Sequence, residues 1–137
     1  MQAIAIKKPE VVPAASAPAI IVVDDDPAVR GSLKFALELE GFAVQAYGDA
    51  AEFLNSGDSI CDCFVIDQGM PGMAGMELIA KLRERRILTP AILLVSQPNP
   101  VVNARAAKAQ VSVVEKPLLG NTLVESIREA CQRRRGR

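Results

Sequence analysis

No histidine occurs in the 137 residues of the chain, and no tryptophan. Without an imidazole there is no Ser-His-Asp or Cys-His hydrolase here, and the chain cannot phosphorylate a histidine of its own. Aromatic side chains are scarce as well: Phe35, Phe42, Phe53, Phe64 and Tyr47 make up the set, although 50% of the residues are apolar. The interior must therefore be aliphatic, which favours an α/β domain. Net charge is also missing, since Lys plus Arg and Asp plus Glu number 16 each. No global field draws in nucleic acid or an acidic substrate, so any partner is recognised by local surface. No apolar run approaches the length of a membrane span and no secretory signal is seen, so the cytoplasm is the expected location. Cysteine is limited to Cys61, Cys63 and Cys131. Cys61-x-Cys63 has the look of half a metal site, but one further cysteine and no histidine cannot complete tetrahedral zinc. Small strand residues are the plainer reading.

What is present is a regular alternation. Residues 1–18 carry Pro9, Pro13 and Pro18 among alanines, without periodicity, and read as a disordered or loosely packed leader. Ile20-Ile21-Val22-Val23 is a β-branched run of the kind a strand buried on both faces shows, and it stops at Asp24-Asp25-Asp26. Pro27 suits the first position of a helix that Asp26 caps. Val29, Leu33, Ala36 and Leu37 form its apolar stripe, and Gly41 closes it. The unit then repeats. Strands are predicted over 42–47, 61–66, 91–95 and 111–114, and helices over 49–54, from Met76 to Leu82, over 101–109 and after Asn121, with Leu123, Ile127 and Cys131 inward. Such alternation predicts an α/β fold: a doubly wound, five-stranded parallel sheet in the order 2-1-3-4-5, with helices on both faces and right-handed crossovers.

One stretch stands out against this background. Phe64-Val65-Ile66 ends abruptly in Asp67, and a turn with Gly69, Pro71, Gly72 and Gly75 follows before helical spacing resumes. Asp67 thus sits at the carboxyl end of a buried strand, the edge at which open parallel sheets bind ligands. The alternative is an aspartate that only caps its turn. The other strand ends bear on that choice. The first strand ends in Asp24 and Asp25, the fourth in Ser96 and the fifth in Lys116. In a 2-1-3-4-5 sheet all five groups meet in one crevice at the switch point. Three carboxylates so close cannot all stay ionised without a cation, and hard oxygen ligands in this number suit Mg²⁺. A lysine and a hydroxyl facing them are what a phosphoryl group needs.

These residues carry a resemblance. Val22-Val23-Asp24-Asp25-Asp26-Pro27, Asp67 with Met70-Pro71-Gly72-Met73 and Gly75, Ser96, and Glu115-Lys116-Pro117 resemble the motifs of the CheY-like receiver domains of two-component response regulators, and of the FixJ-type subgroup among them. The resemblance implies a receiver domain over 19–132 and a basic tail over 133–137. It further implies that Asp67 is the phospho-acceptor and that Asp25 and Asp67 hold Mg²⁺ with the Gly69 carbonyl. Asp24 would hold a coordinating water, Ser96 and Lys116 would contact the phosphoryl group, and the Lys116–Pro117 peptide would be cis. The donor implied is a sensor histidine kinase, and no turnover enzyme is expected. A homodimer through the fourth helix, fifth strand and fifth helix fits the resemblance.

The departures from the family pattern cluster at the output side. Val113 stands where an aromatic switch residue is usual, Gln97 stands where a small residue follows the hydroxyl, Gln110 replaces a common Gly, and Pro98 and Pro100 are expected to stiffen the loop. After the fifth helix only Gln132-Arg133-Arg134-Arg135-Gly136-Arg137 remains, too short for a DNA-binding domain and read as a solvated tail. The leading expectation is a stand-alone receiver acting by protein contact or within a phosphorelay. A second is a protein-interaction module that no longer uses phosphate. A third is a dehalogenase-type phosphohydrolase, for which Asp24-x-Asp26 has the right spacing although the chain is short and Asp26 reads as a cap.

Overall fold

Short runs of four or five residues rich in β-branched and aliphatic side chains, each followed by a turn and an amphipathic segment, build five parallel strands and five helices in the computed structural model, which describes residues 17–118 and 120–135. The strands are β1 (Ala19–Val23), β2 (Ala43–Tyr47), β3 (Cys63–Asp67), β4 (Ala91–Val95) and β5 (Ser112–Glu115). The helices are α1 (Pro27–Leu39), α2 (Ala50–Ser56), α3 (Gly75–Glu84), α4 (Pro100–Lys108) and α5 (Thr122–Arg135). The sheet order is β2-β1-β3-β4-β5, all parallel, as the alternation predicts. The expected leader lies outside the described residues except for its last two, and the Pro18 carbonyl already accepts the Ala43 N–H at 2.9 Å.

Period-two alternation sends successive strand residues to opposite faces. Ile21, Val23, Phe64, Ile66 and Leu93 pack with Phe53, Leu78, Ile79 and Leu82, from α2 and α3. On the other face Ile20, Val22, Val65, Ile92 and Leu94 pack with Leu33 and Leu37 of α1 and Leu123 and Ile127 of α5. Three of the five aromatics meet on the first face, Phe53 lying 5.4 Å from Tyr47 and 5.7 Å from Phe64, ring centre to ring centre, while Phe42 is buried on the other face and Phe35 is exposed.

Boundaries shift where local hydrogen bonds compete with strand pairing. Val111 was expected to open β5, but its N–H is held by Ala106 O at 2.8 Å behind Gln110, whose φ of 59° ends α4. Cys61 was expected in β3. Instead Asp62 turns aside there, its carboxylate accepting the Ala19 N–H at 2.8 Å, and the strand starts at Cys63. Pro100 does not stiffen the loop after β4: it is the first residue of α4, behind Asn99, whose side chain accepts from the Val101 and Val102 N–H groups. Ala36 is exposed rather than buried in the α1 stripe, which buries Leu33 and Leu37.

All three cysteines are buried and none is in a disulfide. Burial pushes the Cys61 thiol up to about 12 and raises Cys63 as well, the Cys63 thiol lying against the Phe64 carbonyl. Thiolate is the reactive form. Alkylation of the folded protein in mildly alkaline buffer, followed by mass, is therefore expected to leave Cys61 and Cys63 unmodified, whereas denaturant exposes all three. Labelling of either in the folded state would contradict this burial.

Candidate functional site

The carboxyl edge of the sheet gathers the charged strand ends. Asp24, directly after β1, is buried and held three ways: its N–H donates to Tyr47 O at 3.1 Å, its Oδ1 accepts from the Asp26 N–H at 3.0 Å, and its carbonyl accepts from Arg30 Nη1 at 2.8 Å. Asp67 is the last residue of β3, opposite Leu94 of β4, and only 5% exposed. The next N–H, of Gln68, still donates to Leu94 O at 2.8 Å, so the ladder fixes the backbone on both sides of the carboxylate. Asp25 points outward beside them, and one oxygen from each of Asp24, Asp25 and Asp67 lies within 4.8 Å of the others.

Lys116, the first residue after β5, crosses this group. Its N–H donates to Val95 O at 2.7 Å, and its ammonium stands 3.0 Å from Asp67 Oδ1 and 3.4 Å from Asp24 Oδ2. The Lys116–Pro117 peptide is cis. Four of the five predicted groups are thus brought together. Ser96 follows β4 at the same edge but is exposed and makes no hydrogen bond to Asp67 or Lys116 among the described residues. Gly69 lies in the exposed turn just behind Asp67.

Electrostatics follow from this packing. Burial raises the Asp67 pKa above its ordinary value, Lys116 pulls it back, and the Asp24 and Asp25 charges raise it again. Lys116 is opposed by burial, yet Asp67 and Asp24 outweigh that and raise its pKa. The sign for stability is direct: this contribution of Lys116 is complete below its ordinary value of 10.5 and fades as pH climbs through the raised one. Replacing Lys116 by Met leaves the buried carboxylates with no ammonium between them. At neutral pH the expected loss is on the order of 2 kcal/mol in urea unfolding, shrinking in acid as Asp67 takes up a proton. An unchanged midpoint would show that the pair adds nothing to folding.

One ammonium does not balance three carboxylates. Two buried acids and an exposed one, converging with room for water on the Asp25 side, are the donor set a hard divalent cation takes while keeping part of its hydration shell, and they fit Mg²⁺. Asp26 stands apart. Its carboxylate caps α1, accepting from the Ala28 N–H at 2.9 Å and the Val29 N–H at 3.3 Å. The Asp24-x-Asp26 pair of a dehalogenase-type site is therefore not assembled.

Two supporting residues escaped the sequence reading. Gln68 binds the α3 terminus with both its carbonyl groups: the backbone one accepts the Gly75 N–H at 3.1 Å and the side-chain one the Met76 N–H at 2.8 Å. Ala74, at the cap position, has no side-chain acceptor, which is the signal that another residue must supply one. Arg30 reads from sequence as one more surface position of an amphipathic helix.

Known proteins share the sequence and fold of this chain as a whole. The response regulator receiver domain matches residues 20–128. The transcriptional regulatory protein FixJ of Rhizobium meliloti (strain 1021) is 34% identical over 113 residues, 81% of this chain and 55% of that protein. The chain thus spans about half the length of the curated relatives it matches. Among solved structures, a CheY-like receiver domain from Methanospirillum hungatei JF-1 superposes with a TM-score of 0.81 at 27% identity, over 88% of this chain and 98% of the other. FixJ-N superposes with a TM-score of 0.77 at 32% identity, over 85% and 95%. With a family match over most of its length, a relative at 34% identity and a doubly wound sheet that superposes on solved receivers, the chain belongs to the response regulator receiver domain family of two-component systems.

Proposed function

We propose that Asp67 accepts a phosphoryl group from the phosphohistidine of a sensor histidine kinase, and that residues 19–132 form the receiver unit, working in the cytoplasm. The observation that carries this reading is the Asp67 carboxylate at the end of β3, grouped with Asp24 and Asp25 and paired with Lys116 at 3.0 Å. In the transfer, an Asp67 oxygen forms a bond to phosphorus as the nitrogen–phosphorus bond of the donor breaks, and the leaving imidazole nitrogen keeps the electron pair and takes a proton from solvent. Asp25, Asp67 and the Gly69 carbonyl would hold Mg²⁺, with Asp24 reaching it through water, and the ion would neutralise charge on the phosphoryl oxygens. Lys116 already faces Asp67 and pairs with the added dianion. Ser96, one residue beyond β4, would swing from solvent to donate its hydroxyl, and that movement of the loop before α4 would carry the signal.

Two surfaces support contact with other proteins. An apolar cleft of ≈ 460 Å³ runs between α1 and α5 and is edged by Lys116 and Pro117, so a donor resting there sits beside the acidic group. Phe35 and Leu39 of α1 are 66% and 72% exposed. On the other side Val101 of α4 is 70% exposed, which supports self-association through α4, β5 and α5.

A second reading, an interaction module independent of phosphate, is favoured by Val113. It is packed against the core and has no ring to swing, and Gln97 and Pro98 remain in the short loop. The discriminating experiment is intact-protein mass after incubation with a small acyl phosphate and Mg²⁺, then with a phosphorylated kinase. A single phosphoryl adduct supports the acceptor reading, and no adduct from either donor supports the module.

A further inference from the structure

Asp24 and Asp25 lie in a turn, and a turn holds its side chains in place only if its backbone is tied down. The tie here comes from a residue that touches no carboxylate partner in the site. Arg30, one turn into α1, reaches back to donate from Nη1 to the Asp24 carbonyl at 2.8 Å, in a partly buried bond. Gly48, just after β2, lies beside it. A side chain there would place its first carbon 3.4 Å from Arg30 Nη1, 3.7 Å from Cζ and 3.3 Å from Glu52 Oε1. These are contacts of ordinary or slightly short length, so Gly48 flanks the guanidinium without being required for its reach. Asp24 is then gripped on its N–H by Tyr47, on its carbonyl by Arg30 and on its carboxylate by the Asp26 N–H.

We infer that Arg30 is a positioning residue for the acidic site: its bond to the Asp24 carbonyl sets the turn that aims Asp24 and Asp25 at Asp67. Its effect on the turn stands on geometry alone, while its effect on cation binding rests on the proposed Mg²⁺ site. An arginine with five donors on a planar fork suits this long reach, and a lysine keeps part of the function with a single compact ammonium.

The test uses Arg30→Met, which keeps the apolar stem, with Arg30→Lys beside it. Amide exchange at Asp24 and Asp26 is measured by NMR without metal, and Mg²⁺ affinity by calorimetry, both well below the unfolding midpoint. In Arg30→Met the two amides are expected to exchange about tenfold faster, and Mg²⁺ to bind about tenfold more weakly, as for other groups that orient ligands. Arg30→Lys should recover part of both. A merely structural role would lower the unfolding midpoint while leaving exchange at these amides and Mg²⁺ affinity as in the wild type, and that result overturns the inference. If the wild-type protein itself takes up no Mg²⁺, the proposed metal site fails separately, and the exchange rates alone decide for or against Arg30.

Discussion

Asp67→Asn is expected to abolish the phosphoryl adduct and, in metal-free neutral buffer, to raise the unfolding midpoint. The first effect follows from chemistry: the amide keeps the shape of the carboxylate but offers no anionic oxygen to attack phosphorus. The second follows from the surroundings. Asp67 is almost fully buried, with Asp24 and Asp25 close by, and its pKa lies above the ordinary 3.8. The folded state therefore holds this proton more tightly than the unfolded one, so stability falls as pH rises from 3.8 through the raised value, and at neutral pH the whole penalty applies. Neutral Asn removes that penalty and gives up one contact of Lys116, which retains Asp24 at 3.4 Å. The net gain should be on the order of 1 kcal/mol, a few degrees for a domain of this size. Acidification towards the ordinary carboxylate range erases the difference. Excess Mg²⁺ reverses it, because the ion stabilises the protein that binds it more tightly. A less stable Asn variant without metal would mean that the Lys116 pair outweighs the repulsion and burial.

Gly75→Ala is expected to be the most damaging small substitution near the site. The added carbon would lie 2.5 Å from the Asp67 carbonyl oxygen, 3.0 Å from its carbon and 2.8 Å from Leu93 Cδ1. Two of these are backbone atoms held in the sheet, so either α3 backs away or the end of β3 is pushed. Forced packing of this kind costs about 2 kcal/mol, and the displaced carboxylate weakens Mg²⁺ binding as well. Gly69→Ala is the matched control. A carbon at Gly69 meets nothing within 4 Å and the carbonyl is kept, so stability should change by less than about 0.5 kcal/mol and Mg²⁺ binding should persist. Equal effects at the two glycines would refute the close approach of α3 to Asp67.

These contrasts mark what could be read from sequence. Ala91–Val95 was legible to the residue because an unbroken aliphatic run between Pro90 and a polar turn has no competitor for its backbone groups. Val111 and Cys61 look as strand-like, but a helix-end bond from Ala106 and a carboxylate anchor on Ala19 claim the neighbouring backbone, and neither bond has a signature in the local pattern. In the site, Asp24, Asp25, Asp67 and Lys116 were legible because each stands within two residues of the point where the apolar run of its strand stops, at the same end of the sheet. Ser96 was placed at the correct edge, but sequence gives a position without a direction, and past β4 the side chain faces solvent. Arg30 and Gln68 were illegible for another reason. They act on backbone atoms 6 to 8 residues away, and no residue type announces a main-chain acceptor.

The all-parallel order has a practical consequence for handling the protein. Every strand runs towards the acidic edge and every helix returns from it, so β1 starts and α5 finishes at the opposite side of the sheet. A bead, dye or fused partner attached at either end of the described body sits a strand length from Asp67, leaving the reactive face open to solution. Any message from Asp67 to such an attachment has to travel through the packed layers rather than by touch.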